Sequence, residues 1–293
     1  MDQLAYYVLI GLGVGAIYAL SGLGIVTLFT GSGLANFAQG DLMVLGALTA
    51  ASVAGAGHAY PLALAAAIAV TAVAGAALGL LFALPLRRRR MDIDVVVIGT
   101  LGVATTMTNL FGSLFGRQYK RVEGPLSSEY LPIGDLRVPM HYLLLLGGAA
   151  VVFAVVHWLH RHTDVGLRLR AVAGGVAAAR DAGVPIGRML MVSWTIAAVV
   201  GGIAGVLVAA VLPIAPTSSL PLGVSGFSAA IVGGLASPLG AVVGGLLIGV
   251  SESLAGGYVN DTLRESIAPL VLLAMLLARP GGLVGRAKAV RAG

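Results

Sequence analysis

The sequence predicts an all-α polytopic membrane protein, organised as a single transmembrane domain over residues 1–293 with about seven or eight transmembrane spans. Hydrophobic residues make up 58% of the chain, charged residues make up 10%, and the mean hydropathy is +0.98. Charged residues are usually about a quarter of a soluble domain. The apolar runs reach the roughly 20 residues that a helix needs to cross a bilayer, and they lack the alternation of transmembrane β-strands. The 43 glycines favour close helix packing in lipid.

The longest polar interruption, residues 161–188, indicates which side of the membrane each span begins on. It contains five arginines against Asp164 and Asp181, and positive charge between spans marks the cytoplasmic side. A glycine pair at residues 174–175 divides the segment, and Gly183 followed by Pro185 ends it. We predict one or two short helices along the cytoplasmic membrane surface. A basic linker held near anionic lipid is an equally good interpretation of the composition.

The first third of the chain contains two full spans and one interrupted one. Residues 4–29 form a run without a basic leader, which predicts a retained span and no cleaved signal peptide. The polar residues 36–41 precede an apolar run, residues 42–56, that is short for a crossing, so a broken or re-entrant helix is expected here. Residues 61–84 form a span that ends at four consecutive arginines, residues 87–90, and this run predicts a cytoplasmic end.

The remaining spans alternate between the two sides. Residues 95–115 lead to an outer loop, residues 116–140, and residues 142–159 return to the basic segment. Residues 189–212 leave the cytoplasm, glycines and Pro238 cut residues 226–253 into two pieces, and a last span starts near residue 263. Basic residues then place the C-terminus in the cytoplasm.

Counting crossings leaves two arrangements open. An even number of spans must separate the basic segment from the C-terminus, and treating residues 226–253 as a re-entrant pair of half-helices satisfies this. The same treatment of residues 36–56 makes residues 1–116 and 189–279 a two-fold internal repeat of similarly oriented halves, the arrangement we favour. The alternative is that residues 36–56 cross fully, with the N-terminus outside.

Paired interruptions in two halves point to a transport pathway, because unwound backbone is tolerated at membrane depth only where it is buried or lines a cavity. The candidate pathway residues are Asn36, Gln39, Asp41, Ser228, Gly233, Gly234 and Ser237. Asn36 and Asp41 also fit a plain helix-capping role. An aspartyl protease would need a second carboxylate facing Asp41, which Glu252 or Asp261 could supply only from deep in the membrane. No P-loop, cofactor or metal site is predicted, and histidines 157, 160 and 162 fit a membrane interface better than a metal site.

Seven motifs spread over the chain resemble the LivH group of permeases from branched-chain amino acid ABC importers. They are GAIYAL at residues 15–20, LANFAQGD at 34–41, GLRLRAV at 166–172, AARDAGV at 178–184, GGIAG at 201–205, VGGLASPLGA at 232–241 and RPGGLVG at 279–285. The resemblance implies a non-enzymatic permease subunit in a bacterial inner membrane. It also implies two cytoplasmic ATPases, a second permease subunit or a second copy of this chain, and an extracytoplasmic substrate-binding protein.

The resemblance also assigns the basic segment a role. Residues 178–184 occupy the place of the short cytoplasmic helix that docks into an ATPase, so the expected coupling residues are Arg168, Arg170, Ala179, Arg180, Asp181 and Gly183. The alternative is a self-sufficient carrier or channel in which Asp41 couples to protons or cations. The substrate stays open between aliphatic amino acids and the urea, amides or aromatic acids of relatives.

Overall fold

The protein is described by a computed structural model that covers residues 2–88, 93–122, 124, 130–133, 136–260, 264–279 and 281–284. Helices account for nearly all of its regular structure. The elements in chain order are α1 (Asp2–Ser32), α2 (Gln39–Gly55), α3 (Tyr60–Arg88), α4 (Ile93–Leu114), β1 (Tyr130–Ile133), β2 (Leu136–Pro139), α5 (Met140–His162), α6 (Asp164–Gly174), α7 (Val176–Asp181), α8 (Ile186–Val211), α9 (Ser219–Gly233), α10 (Pro238–Tyr258) and α11 (Arg264–Ala278).

The all-α polytopic class is confirmed. Within the described residues, six helices are long and apolar enough to cross a membrane, namely α1, α3, α4, α5, α8 and α10. The shorter apolar helices α2, α9 and α11 pack among them. The strands β1 and β2 pair as an antiparallel hairpin inside the loop that the sequence places between α4 and α5.

Helices α1 and α8 form the centre of the bundle. In each of them 72% of the span is buried by the protein itself, against 17% in α4 and in α5. Small residues allow this burial. A methyl group at Gly205 in α8, for example, would meet the carbonyl oxygen of Met43 in α2. The lipid-facing surface is therefore carried mainly by the outer helices.

The helix contacts are paired in a regular way. The contact of α1 with α10 corresponds to the contact of α8 with α3. The contact of α1 with α9 corresponds to the contact of α8 with α2. The contact of α2 with α3 likewise matches the contact of α9 with α10. A two-fold internal repeat would produce this arrangement, and residues 1–116 and 189–279 stay the proposed repeats.

The two sets of helices run in opposite directions, so the expected similar orientation of the halves is wrong. Gly31 near the end of α1 lies against Ser193 near the start of α8, whereas Gly24 lies against Ala197. Helices α1 and α8 are therefore antiparallel, and the repeat is inverted. The reason is that residues 33–38 lead the chain back into the interior. Helix α2 then continues alongside α8, with Gly46 against Gly202, and so completes a crossing.

The second interrupted segment, residues 226–253, also differs from the re-entrant pair of half-helices that the count of crossings suggested. The break falls at residues 234–237 as predicted, but α10 has 21 residues and is long enough to cross the membrane by itself. The contacts of Gly240 with Gly233 and of Gly244 with Ala229 show that α9 and α10 form an antiparallel hairpin. Four helices, α8 to α11, thus separate the basic segment from the C-terminal region, which meets the parity requirement.

Candidate translocation pathway and docking surface

The short helices α2 and α9 begin against each other in the protein interior. Gly40 lies in the first turn of α2, and a methyl group there would meet the carbonyl oxygen of Ser219, the first residue of α9. Asn36 prepares the start of α2, because its Oδ1 accepts a hydrogen bond from the Ala38 N–H at 2.9 Å. Two buried helix N-termini therefore face one region, and each carries partial positive charge.

A cavity of about 350 Å³, here called the inner cavity, lies beside these helix starts. Its polar lining comes from Asn36, Asp41, Thr105, Thr108, Asn109, Ser219 and Ser228, and its apolar lining comes mainly from α4 and α9. Thr108 Oγ1 donates a hydrogen bond of 2.7 Å to Asp41 Oδ1, which ties α4 to α2 across the cavity. The cavity thus combines one acidic group with small neutral polar groups in an apolar setting.

Two side chains of the inner cavity have unused hydrogen-bonding capacity. Asn36 and Ser228 are fully buried. Among the described residues, neither Asn36 Nδ2 nor Ser228 Oγ has a hydrogen-bond partner. A buried polar group without a partner is costly, about 1–3 kcal/mol, and native proteins contain few of them. Both atoms are therefore suited to bind a polar group of a passing solute.

The other predicted pathway residues lie elsewhere. Gln39 Nε2 donates to the Ala197 carbonyl at 3.1 Å and fixes α2 to α8 without lining the inner cavity. Gly233, Gly234 and Ser237 form the turn between α9 and α10, where Gly234 has a φ of 105° and Ser237 Oγ accepts from the Gly240 N–H at 3.0 Å. These three residues have a structural role at the turn, because Gly240 packs directly on Gly233.

A second cavity of about 650 Å³, here called the outer cavity, lies on the other side of α9. It borders residues 212–218, which follow the end of α8, and so lies toward the end of the bundle opposite the basic segment. Tyr18, Glu252 and Arg264 lie in its wall, and Tyr18 Oη donates to Glu252 Oε2 at 2.7 Å. Leu220 and Val224 of α9 line both cavities, so the two are neighbours along one helix.

The sequence analysis missed several cavity residues. Thr108 and Ser219 are brought to Asp41 from α4 and α9, and no local pattern marks them. Arg264 lies at the start of the last predicted span, where no local pattern marks it as a cavity residue. Glu252 did carry a usable signal, because it is an acidic residue inside an apolar run.

The basic segment folds into two short helices, α6 and α7, as predicted. Thr163 caps α6 by accepting a hydrogen bond of 3.1 Å from the Gly166 N–H. The break falls at the predicted glycine pair, and Gly183 ends α7 with a φ of 77°. Its N–H donates to the Arg180 carbonyl at 2.9 Å.

One face of this helical pair is anchored and the other is exposed. Leu169, Val172 and Ala179 pack with Met189 of α8 in an apolar cluster. The charged side chains on the opposite face are all exposed, namely Arg168, Arg170, Arg180 and Asp181. Ala179 is 3% exposed, so it anchors α7 to the bundle and is not available to contact a partner.

Helices that span a membrane, discontinuous helices that meet at a buried polar cavity and an exposed basic helical pair are the features of a transport protein. The chain belongs to the family described as "Branched-chain amino acid transport system / permease component", which matches residues 7–279. This match covers the bundle from the start of α1 to the end of α11.

Individual relatives show more limited similarity. The chain is 31% identical over 127 residues to the high-affinity branched-chain amino acid transport system permease protein LivH of Salmonella typhimurium, covering 43% of this chain and 41% of the relative. It is 32% identical over 130 residues to a probable LivH permease of Methanocaldococcus jannaschii, covering 42% and 41%. It is 27% identical over 131 residues to the nucleoside permease NupB of Lactococcus lactis, covering 44% and 36%. The alignments thus span about two fifths of these relatives.

Proposed function

We propose that the protein is the permease subunit of an ATP-driven importer that carries branched-chain or other hydrophobic amino acids. The observation that carries this proposal is the inner cavity, where the unpaired Asn36 Nδ2 and Ser228 Oγ face a space between apolar walls. A solute with a small polar end and an aliphatic side chain matches these two kinds of lining. The names of the LivH relatives point to the same substrate class.

The helix starts explain how such a solute is held without being trapped. The N-termini of α2 and α9 favour a carboxylate, since their first N–H groups lack partners within the helix. Asp41 offers its negative charge to an ammonium group on the same side of the cavity. Neutral hydroxyl and amide groups complete the contacts, and each adds only a modest hydrogen-bond energy of about 0.5–1.5 kcal/mol.

The helices α6 and α7 form the docking surface for cytoplasmic ATPases. Their apolar face is buried against α8, so a push on α7 is transmitted to one of the two central helices. Their exposed arginines attract an acidic partner surface. The helices that line the proposed pathway then move together with the central helix α8.

The orientation follows from charge and from helix direction. The basic segment and the C-terminus lie in the cytoplasm of a bacterial cell with the importer in its inner membrane. Since α1 and α8 are antiparallel, the N-terminus of α1 lies outside, where a substrate-binding protein delivers the amino acid to the outer cavity. A second permease subunit, or a second copy of this chain, completes the complex.

The proposal is tested by gentle solubilisation of the tagged chain from its native membrane, followed by mass spectrometry and by uptake of radiolabelled L-leucine. We expect ATPase subunits and a substrate-binding protein to accompany the chain, and we expect uptake to stop when ATP is depleted. Recovery of the chain alone, with leucine transport in liposomes that ionophores dissipate, would overturn the proposal and favour a secondary carrier.

The docking surface has its own test. Arg180→Glu reverses the charge at the exposed end of α7, and we expect it to reduce ATPase recovery and leucine uptake about tenfold, since an ion pair across an interface becomes a repulsion. Arg161→Glu makes the same charge change at the end of α5, outside α6 and α7, and should retain both. Equal losses in the two variants would contradict a specific contact of α7.

A further inference from the structure

The wall of the outer cavity contains charged side chains from two helices, α10 and α11. Glu252 lies within α10 and is 2% exposed, yet its carboxylate lies in the cavity wall. The hydroxyl of Tyr18, from α1, donates a 2.7 Å hydrogen bond to it. A buried carboxylate in a membrane helix is costly, and such residues are therefore expected to serve a function.

A positive charge accompanies this carboxylate. Arg264, the first residue of α11, lies in the wall of the same cavity. Much of the remaining wall is apolar and includes Val14, Leu222 and Pro269. Opposite charges on two helices, set in a mainly apolar cavity of about 650 Å³, match a molecule that carries both charges and an aliphatic group.

We infer that the outer cavity is a recognition site for a zwitterionic α-amino acid, in which Glu252 binds the ammonium group and Arg264 binds the carboxylate. The inference rests on the proposed function and deepens it, because it selects zwitterions over neutral amides such as urea. Tyr18 is a positioning residue, since its hydroxyl holds the Glu252 carboxylate. The solute then passes Leu220 and Val224, which line both cavities, to reach the inner cavity.

The arrangement also explains why the cluster consists of two charges and not of neutral polar groups. A guanidinium binds a carboxylate through two parallel hydrogen bonds, and charge-assisted bonds are about twice as strong as neutral ones. A neutral amide gains neither interaction and leaves both protein charges without a ligand partner. The outer cavity can therefore discriminate by charge before the solute enters the membrane interior.

The test uses the full chain in lipid nanodiscs, with any subunits that copurify, and saturation-transfer NMR titrations with three probes. L-leucine carries both charges, 3-methylbutylamine carries only the ammonium group, and 4-methylpentanoate carries only the carboxylate. Glu252→Gln keeps an oxygen that accepts from Tyr18 but removes the negative charge, and Arg264→Gln removes the positive charge. Asp41 is present in every variant, so differences between variants report on the outer cavity.

We expect Glu252→Gln to weaken the binding of L-leucine and of the amine about tenfold and to leave the binding of the carboxylate probe unchanged. Arg264→Gln should weaken the binding of L-leucine and of the carboxylate probe and leave the binding of the amine unchanged. Tyr18→Phe should weaken the binding of the amine by a smaller factor. Loss of binding of all three probes in both variants would overturn the inference, because a purely structural ion pair predicts that result. Unchanged binding of all three probes would overturn it too.

The two proposals fail in different ways. If both variants bind L-leucine as the unmodified protein does while ATP-dependent leucine uptake still requires the chain, the recognition site is wrong and the importer function stands. If the unmodified complex shows no ATP-dependent leucine uptake, the proposed function itself is wrong, whatever the titrations show.

Discussion

Asp41 is the acidic residue of the inner cavity and the most direct single-residue test of the proposed pathway. It is 3% exposed, and its Oδ1 accepts the 2.7 Å hydrogen bond from Thr108. Asp41→Asn keeps the size of the side chain and an oxygen that accepts from Thr108, but removes the charge offered to an ammonium group. We expect L-leucine uptake to fall about tenfold, which corresponds to about 1.4 kcal/mol.

Thr108→Val provides the matched comparison for Asp41. It removes the hydrogen bond that Asp41→Asn keeps and leaves the carboxylate charge, so we expect a smaller loss of uptake than in Asp41→Asn. The two variants are compared in one transport assay at equal protein levels in the membrane. An equal or larger loss in Thr108→Val would mean that Asp41 acts only by fixing α4 to α2.

Individual glycines at helix contacts contribute to the stability of the folded protein. Gly205→Ala would place a methyl group against the backbone of Met43 and Ala47, which are part of α2 and cannot move as a side chain does. We expect the substitution to destabilise the protein by about 1–3 kcal/mol. Gly102→Ala is the control, since no atom lies within 4 Å of the added methyl group in α4. Thermal unfolding of the two purified variants measures the difference, and equal midpoints would contradict the tight α2–α8 contact.

At the scale of single elements, α7 depends on the turn that ends it. Gly183 has a φ of 77°, and its N–H donates to Arg180 at 2.9 Å, so Gly183→Pro removes the bond and conflicts with the backbone angle. We expect uptake to fall about tenfold or more, because α7 no longer holds its position on α8. ATPase activity of the complex should become independent of substrate delivery.

Gly57 offers a closely matched control at the opposite end of the bundle. Its φ is 86°, its N–H donates to the Ala54 carbonyl at 2.9 Å, and no atom lies within 4 Å of an added Cβ. Gly57→Pro therefore imposes the same backbone conflict and loses an equivalent bond. Substrate-dependent ATPase activity should persist in this variant, and its loss in both would argue for general destabilisation.

The elements differ in how well local sequence predicts them. The boundaries of α6 and α7 were predictable because glycines, a proline and a change in polarity mark them directly. The breaks before α2 and between α9 and α10 were predictable for the same reason. The partners of Asp41 were not, because Thr108 and Ser219 are far from it in sequence and only the packing of α4 and α9 brings them together.

The inverted repeat belongs to the scale of the whole molecule, and it leads to a prediction about topology. The chain contains no cysteine, so single cysteines can be introduced without background. Gln3 and Arg168 are both exposed and lie at opposite ends of the bundle. In right-side-out membrane vesicles, an impermeant maleimide should label Gln3→Cys directly and Arg168→Cys only after permeabilisation. Labelling of both from one side would contradict the antiparallel arrangement of α1 and α8.

The direction of the halves could not be predicted from composition, and the favoured orientation was wrong for a physical reason. Hydropathy measures the length of an apolar run, and residues 42–56 are short because α2 starts inside the protein and not at its surface. A non-helical segment of six residues, 33–38, covers the missing depth. The coil and the short helix together cross the membrane, but only the helix can be recognised in the sequence as an apolar run.

The close contact between α1 and α10 has a consequence for the way the protein is made. Helix α1 ends at residue 32 and α10 begins at residue 238, so the 205 residues 33–237 separate the two. At about 5–20 residues per second, a ribosome needs about 10–40 s to synthesise this interval. During that time the glycine face of α1 is in the membrane without the helix that later covers it. Biogenesis of this chain therefore requires that lipid or the insertion machinery shelter α1 until the second half arrives.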